Sequence, residues 1–313
     1  MYSNLSNFSE GVDSTFVIIF SIIAIFLVGL TCTLIYFLIR YREKKNPVPT
    51  QIKGNVWLEI IWVIIPIVLV MGMFYYGWMA WIPMLSKAPA DAIEIKTTAQ
   101  MWSWRFEYEN GKKTDSLIIP VGRPVVLKMI SPDVIHSLYI PAFRIKRDIV
   151  PGRIVEMWFE ANKEGSYDLF CAEYCGLQHS FMTTSVNVLS QDKYDNWYID
   201  TTEIIQIMVT PGAAGLKLIK DNGCIACHSL DGSKLVGPSY KNIFGHEVEV
   251  STNGINRALL VDAEYIKNSI YNPDDDIVKG FRKGLMRSYK NELTDKDIEQ
   301  ITIYIKTLSD KKE

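Results

Sequence analysis

Residues 171–182 read CAEYCGLQHSFM, and how this stretch is read decides the reading of the whole chain. Cys171, Cys175, His179 and Met182 place four soft or borderline metal ligands within twelve positions. A Cys171–Cys175 disulfide is the plain alternative outside the cytosol. The nearby His and Met argue against it. Working outward, AIEIKTTA, RPVVLKMI, GRIVEMWFE and MTTSVNVL alternate apolar and polar residues between Ala92 and Leu189. Turn residues separate them at Glu109-Asn110-Gly111, Pro120-Val121-Gly122, Pro151-Gly152 and Glu164-Gly165. This pattern predicts a small β-sandwich or barrel.

The chain has 313 residues, 48% of them hydrophobic, and a formal net charge of −2. It is therefore neither a disordered chain nor a basic nucleic-acid binder. Upstream of the β region, Thr15 to Ile39 is 25 residues without a charge, and Ile60 to Leu85 is 26. Either stretch, as a helix, exceeds the ~30 Å hydrocarbon core of a bilayer. The segment before the first carries Glu10 and Asp13 and no Lys or Arg, unlike a cleavable signal. Between the spans, RYREKKNPVPTQIKGN holds Arg40, Arg42, Lys44, Lys45 and Lys53 against Glu43. Positive loops stay cytoplasmic, so the N-terminus and everything after Lys87 are expected on the outer face. Cys32 lies inside the first span and reads as a packed small hydrophobe.

After about Asp195 the pattern becomes helical. AAGLKLIKDNG reads as a helix ended by Gly223. VDAEYIKNSIYNP and TDKDIEQITIYIKTL carry apolar residues at helical spacing, the latter capped by Thr294 with Asp297 at the capping-box position. The predicted organisation is a transmembrane hairpin over 1–88 (spans about 15–39 and 60–85), a β domain over 89–194, a connector over 195–212 and a helical domain over 213–313.

The helical domain contains CIACH at residues 224–228, the covalent haem-attachment signature. Cys224 and Cys227 are spaced to add to the two vinyl groups of one porphyrin, and His228 would lie beneath the iron. A redox C-x-x-C or half a zinc site is the alternative, but no second C-x-x-C completes such a site. With GPSYKNIFG following at 237–245, the region resembles class I cytochrome c, an all-α fold. The resemblance implies that Gly237 and Pro238 pack beside the haem and orient His228, and that the terminal helix crosses the first. It also implies a distal Met, and Met286 is the only Met after Met208. Here Met286 precedes Arg287 where family members commonly have Pro, and His246 is a rival ligand. His/Met ligation closes the iron to oxygen and suits it to electron transfer.

Two thiolates can also bridge a pair of copper ions, with an imidazole terminal on each. That arrangement needs a second His besides His179, and His228 is committed, which leaves His136 or His246. The pattern H136…C171-A-E-Y-C175-G-L-Q-H179-S-F-M182, behind a helical hairpin, resembles subunit II of the haem–copper cytochrome c oxidases over residues from about 14 to 190. The resemblance implies a membrane-anchored chain with a cupredoxin-like β-sandwich holding the binuclear centre CuA. Cys171 and Cys175 would bridge, His136 and His179 cap, Met182 bind weakly, and Glu173 offer its carbonyl. The Glu173 side chain would reach a magnesium shared with subunit I.

Further matches carry further implications. MWSWRFEY, residues 101–108, resembles the aromatic segment where electrons reach the copper, with Trp102 at the surface and Trp104 its neighbour. Plain cross-strand packing is the alternative for these aromatics. Glu59, in LEIIWVIIP, matches the acid at the mouth of a proton channel; a dipole-stabilised helix start is the alternative. Arg153 is a candidate partner of haem propionates in subunit I. The expected function is the electron-input subunit of a proton-pumping terminal oxidase in the bacterial cytoplasmic membrane, two-pass, with both termini and the metal domains outside. Its expected cofactors are CuA, covalent haem c and the shared magnesium. Its expected partners are subunits I and III, an external donor such as a cytochrome c or a quinol-oxidising complex, and the bilayer. With only four histidines, the chain has too few ligands for an oxygen-reducing metal of its own. The alternatives are the corresponding subunit of a nitric oxide reductase and a membrane-tethered copper or redox binding protein.

Overall fold

The structure, a computed structural model, describes residues 4–48, 51, 53–200 and 212–309. Two long helices come first, α1 (Ser9–Arg40) and α2 (Val56–Trp81), the second followed by a 3₁₀ turn at Ile82–Leu85. Both start earlier than the uncharged stretches alone suggest. Asn55 explains this for α2, because its side chain accepts the Trp57 and Leu58 amides as an N-cap. Side chains such as Leu27, Leu38 and Val68 lie exposed along both helices, which fits lipid or partner helices rather than a soluble core.

The hairpin is pinned to the β domain at one end. The segment before α1 bridges Ser6 to Ala161, and Phe8 meets Trp158 edge-on at 5.1 Å. Arg144 Nε donates to Asp13 Oδ1 at 2.7 Å, and Trp158 Nε1 donates to the Ser86 carbonyl at 2.9 Å. The start of α1 and the end of α2 therefore share one side of the hairpin, and the end of α1 at Arg40 and the start of α2 at Val56 lie at the other.

The β domain is a sandwich of two five-stranded sheets. One runs β3 (Lys113–Thr114), β2 (Ser103–Tyr108), β1 (Ile93–Gln100), β5 (Pro124–Ile130), β8 (Val155–Glu160). The other runs β4 (Leu117–Pro120), β10 (Thr183–Leu189), β9 (Gly165–Cys171), β6 (His136–Ile140), β7 (Ile145–Ile149). The β1–β5 and β4–β10 pairs are parallel and the rest antiparallel. The alternation seen in the sequence closes the core: Ile95, Phe106, Leu127, Met129, Leu138, Phe159 and Leu169 are fully buried between the sheets. Helix α3 (Gln191–Ile199) packs back on this unit, Trp197 against Tyr108 at 4.8 Å. The expected connector over 195–212 thus begins inside a helix, and residues 201–211 lie outside the described residues.

The C-terminal unit has the predicted helices as α4 (Ala213–Asp221), α5 (Ala263–Tyr271) and α6 (Asp295–Thr307), with Thr294 and Asp297 forming the capping box. Helices α4 and α6 cross closely. A Cβ on Gly215 would lie 2.1 Å from the Gln300 carbonyl oxygen. To the all-α expectation the structure adds a sheet of β11 (Glu247–Thr252), β12 (Ile255–Leu260) and β13 (Asp276–Val278). Its signal is local: Asn253-Gly254, both at positive φ, joins two alternating runs as hairpin turns require.

Candidate functional site

His136 opens β6 and Cys171 closes β9, and these strands are neighbours, with Leu138 paired to Cys171. The loop 172–182 then returns to β10, and the Cys171 amide donates to the Met182 carbonyl at 3.1 Å across its base. Three side chains of the loop, one from β9 and one from β6 converge. Cys171 Sγ lies 3.8 Å from Cys175 Sγ and 3.8 Å from His136 Nδ1. Cys175 Sγ lies 3.6 Å from His179 Nδ1 and 3.8 Å from Met182 Sδ. Cys171 Sγ lies 3.3 Å from the Glu173 carbonyl oxygen.

Two sulfurs 3.8 Å apart form no disulfide, and all the cysteines are free. Donors 2.0–2.3 Å from one tetrahedral metal stand about 3.5 Å apart, so these spacings fit shared metal ligation. The contact with Cys175 holds Cys171 well below the usual thiol range, against the effect of burial. The same contact, with burial, pushes Cys175 up. The donor set of two Cys, two His and a weak Met suits copper.

Sequence reasoning missed Asp133. Its Oδ1 takes the far nitrogen of His136, Nε2, at 2.9 Å, and its Oδ2 accepts the Met101 amide at 2.7 Å. Burial would raise this carboxyl, but the His136 contact and the Met101 and Val134 amides hold it below its usual range. Asp133 thereby fixes His136 with Nδ1 toward the sulfurs, the outer-partner role that orients ligating imidazoles. The D-V-I-H spacing was the available signal. Asp133→Asn is expected to weaken copper retention about 10–100-fold, read by competition with a chelator, while haem content stays unchanged.

The aromatic segment meets the loop directly. Trp102 Nε1 donates to the Cys175 carbonyl at 3.1 Å, and Trp104 Nε1 to the Met182 carbonyl at 3.4 Å. Gly176, at φ +114°, lets the loop approach Trp102, whose ring a Cβ there would meet at 3.2 Å. The expectation of a surface position for Trp102 does not hold: it is 4% exposed, and Cys227 and Val236 of the C-terminal unit pack against its cluster.

In the C-terminal unit a cleft is lined by Cys224, Cys227, His228, Gly237, Pro238 and Met286, and also by Met101 and Asp133 of the β domain. His228 Nδ1 donates to the Pro238 carbonyl at 2.7 Å, leaving Nε2 available as a ligand. A Cβ on Gly237 would sit 2.5 Å from His228 Cε1, so only glycine admits the imidazole there. Burial lowers His228, which keeps it neutral, and raises the thiols of Cys224 to about 11 and Cys227 to about 12. At neutral pH both remain thiols. Two addition-competent thiols, a neutral imidazole and a thioether around one largely apolar cleft fit a covalent haem. His246 is not among the residues lining it; its Nδ1 lies 3.2 Å from the Phe244 carbonyl.

Glu59 sits in the first turn of α2, at the hairpin end away from the β domain. Arg153 is exposed, and Glu173 is half-buried.

Fold and sites together define a membrane-anchored redox protein, with a soft-metal loop on a β-sandwich and a haem-type cleft beside it. Three family models match: "Cytochrome C oxidase subunit II, transmembrane domain" over 3–77, "Cytochrome C oxidase subunit II, periplasmic domain" over 112–189, and "Cytochrome c" over 212–309. Cytochrome c oxidase subunit 2 of Alkalihalophilus pseudofirmus is 30% identical over 93% of this chain and 85% of its own length. The Cereibacter sphaeroides protein of the same name is 30% identical over 56% of this chain and 71% of its own. The solved periplasmic domain of subunit II of cytochrome oxidase of Bradyrhizobium japonicum is 31% identical, covering 36% of this chain and 94% of that one, at a TM-score of 0.33. The chain belongs to the cytochrome c oxidase subunit II family and carries a C-terminal cytochrome c domain.

Proposed function

We propose that this chain is where electrons enter a proton-pumping terminal oxidase: from an external donor to a haem at Cys224, Cys227, His228 and Met286, then to a copper pair at His136, Cys171, Cys175, His179 and Met182, then to the haem–copper subunit that reduces O2 to water. When bound, the two groups supply one-electron chemistry that moves no proton at these residues. The observation that carries the reading is the continuity between the sites. Met101 and Asp133 line the haem cleft, Asp133 holds His136, and Trp102 donates to the Cys175 carbonyl.

The chain's residues divide the work. Pro238 and Asp133 orient the two imidazoles. Trp102 and Trp104 brace the metal loop, and burial keeps water from the sulfurs. Tyr174, Leu177 and Phe181 of the loop are 79%, 65% and 76% exposed, an apolar rim suited to contact with subunit I. In that contact the Glu173 side chain would reach the shared magnesium, and Arg153 the propionates of subunit I. Glu59 would take protons at the cytoplasmic end of the hairpin, with both soluble units in the periplasm.

Metal and haem analysis of the intact chain tests the site assignments. The expected result is a copper pair whose EPR signal shows one electron shared over two equivalent nuclei, plus one low-spin c-type haem. A Cys171–Cys175 disulfide would refute the copper assignment. In the assembled complex, uptake of oxygen rather than nitric oxide is expected; the reverse preference would overturn the oxidase reading.

A further inference from the structure

Gln100 ends β1 at 3% exposure, and both ends of its amide are used across the domain boundary. Its Nε2 donates to the Asn222 carbonyl at 2.7 Å, and its Oε1 accepts from Arg287 NH2 at 2.7 Å. Asn222 lies just ahead of the CIACH motif, and Arg287 directly follows Met286. One side chain of the β domain therefore holds both chain segments that carry the haem-attachment residues and the distal-ligand candidate. Neighbouring contacts share the register. Arg105 NH1 reaches Asn222 Oδ1 at 3.2 Å. A Cβ on Gly223 would lie 2.1 Å from Ser103 Oγ and 2.9 Å from Gln100 Nε2.

Directional contacts matter here because long-range attraction is weak. Residues 211–313 hold 15 Lys/Arg and 15 Asp/Glu, so no net charge of this unit draws it to its tethered neighbour. Short hydrogen bonds must then select one docked pose among many. The pose seen puts Met101, the residue after Gln100, at the wall of the haem cleft and Trp102 next along the chain.

We propose that Gln100 is a positioning residue, a docking clamp that fixes the haem-bearing unit against Met101–Trp102 and so sets the gap the electron crosses. It is not among the residues lining the haem cleft, and it makes none of the contacts within the sulfur cluster. The proposal rests on the haem-to-copper reading above. The transfer it governs is one electron out of the ferrous haem and into the oxidised copper pair, with no bond or proton exchanged.

The test uses the full metal-loaded chain. Gln100→Leu keeps the volume and removes both hydrogen bonds. Arg105→Leu loosens the same boundary from β2 and serves as an independent variant. Expected for Gln100→Leu are haem-to-copper transfer about 10–100-fold slower after flash reduction, and amides of 100–103 and 221–224 exchanging about tenfold or more faster. Haem and copper spectra and reduction of the haem by a small external reductant should stay as in the unsubstituted chain. Arg105→Leu should shift both readouts the same way by less. Unchanged amide protection, an unchanged transfer rate, or a slowed rate accompanied by altered spectra would each overturn the clamp. If the unsubstituted chain shows no haem-to-copper transfer, the functional reading fails instead, and the exchange measurement still decides whether Gln100 holds the two units together.

Discussion

Cys175→Ser is expected to destroy the copper centre while leaving the haem in place. Cys175 is 3% exposed, and its sulfur lies within 3.8 Å of Cys171 Sγ, His179 Nδ1 and Met182 Sδ. A serine hydroxyl is a harder donor, stays protonated at neutral pH and cannot bridge two soft ions as a thiolate does. Copper retention should fall by more than the about 10–100-fold that outer partners are worth. Metal analysis should find less than a full pair, and the shared-electron EPR signal should vanish. Haem content should be normal, because CIACH lies in another unit. Transfer from haem to partner at the rate of the unsubstituted chain would refute the copper reading entirely.

Gly215→Val is the substitution expected to cost the C-terminal unit most. Helix propensity alone favours replacing a helical glycine, by about 1 kcal/mol for alanine and less for the β-branched valine. The crossing opposes it: the added Cβ would meet the Gln300 carbonyl oxygen at 2.1 Å and Tyr304 Cβ at 2.7 Å. A backbone oxygen cannot rotate aside, so α4 and α6 must separate, opening the cluster of Ile219, Ile298, Ile301 and Ile305. Overpacking of this kind costs about 1–3 kcal/mol or more. For a unit of this size that lowers Tm by roughly 5–20 °C, read by calorimetry on the full chain. A raised Tm would mean that the helices do not cross as described.

Much of this molecule is legible residue by residue. The two apolar spans, the alternating strands, the Thr294–Asp297 capping box, the C171–M182 loop and CIACH are all patterns within a few turns or one strand of chain. Period, capping and ligand spacing act locally, so they survive in the sequence without a fold. The β11–β12 hairpin belongs with them, since Asn253-Gly254 announces it. Chemistry alone left the second imidazole open between His136 and His246. Tertiary structure brings His136 to the sulfurs, because β6 pairs with β9, while His246 is not among the residues lining the haem cleft. The burial of Trp102, the hold of Asp133 on His136, and the Gln100 bridge to Asn222 and Arg287 were equally invisible. Gln100 and Arg287 stand 187 positions apart. Contacts of that kind depend on which surfaces meet once strands have paired and units have docked, and no local periodicity encodes them.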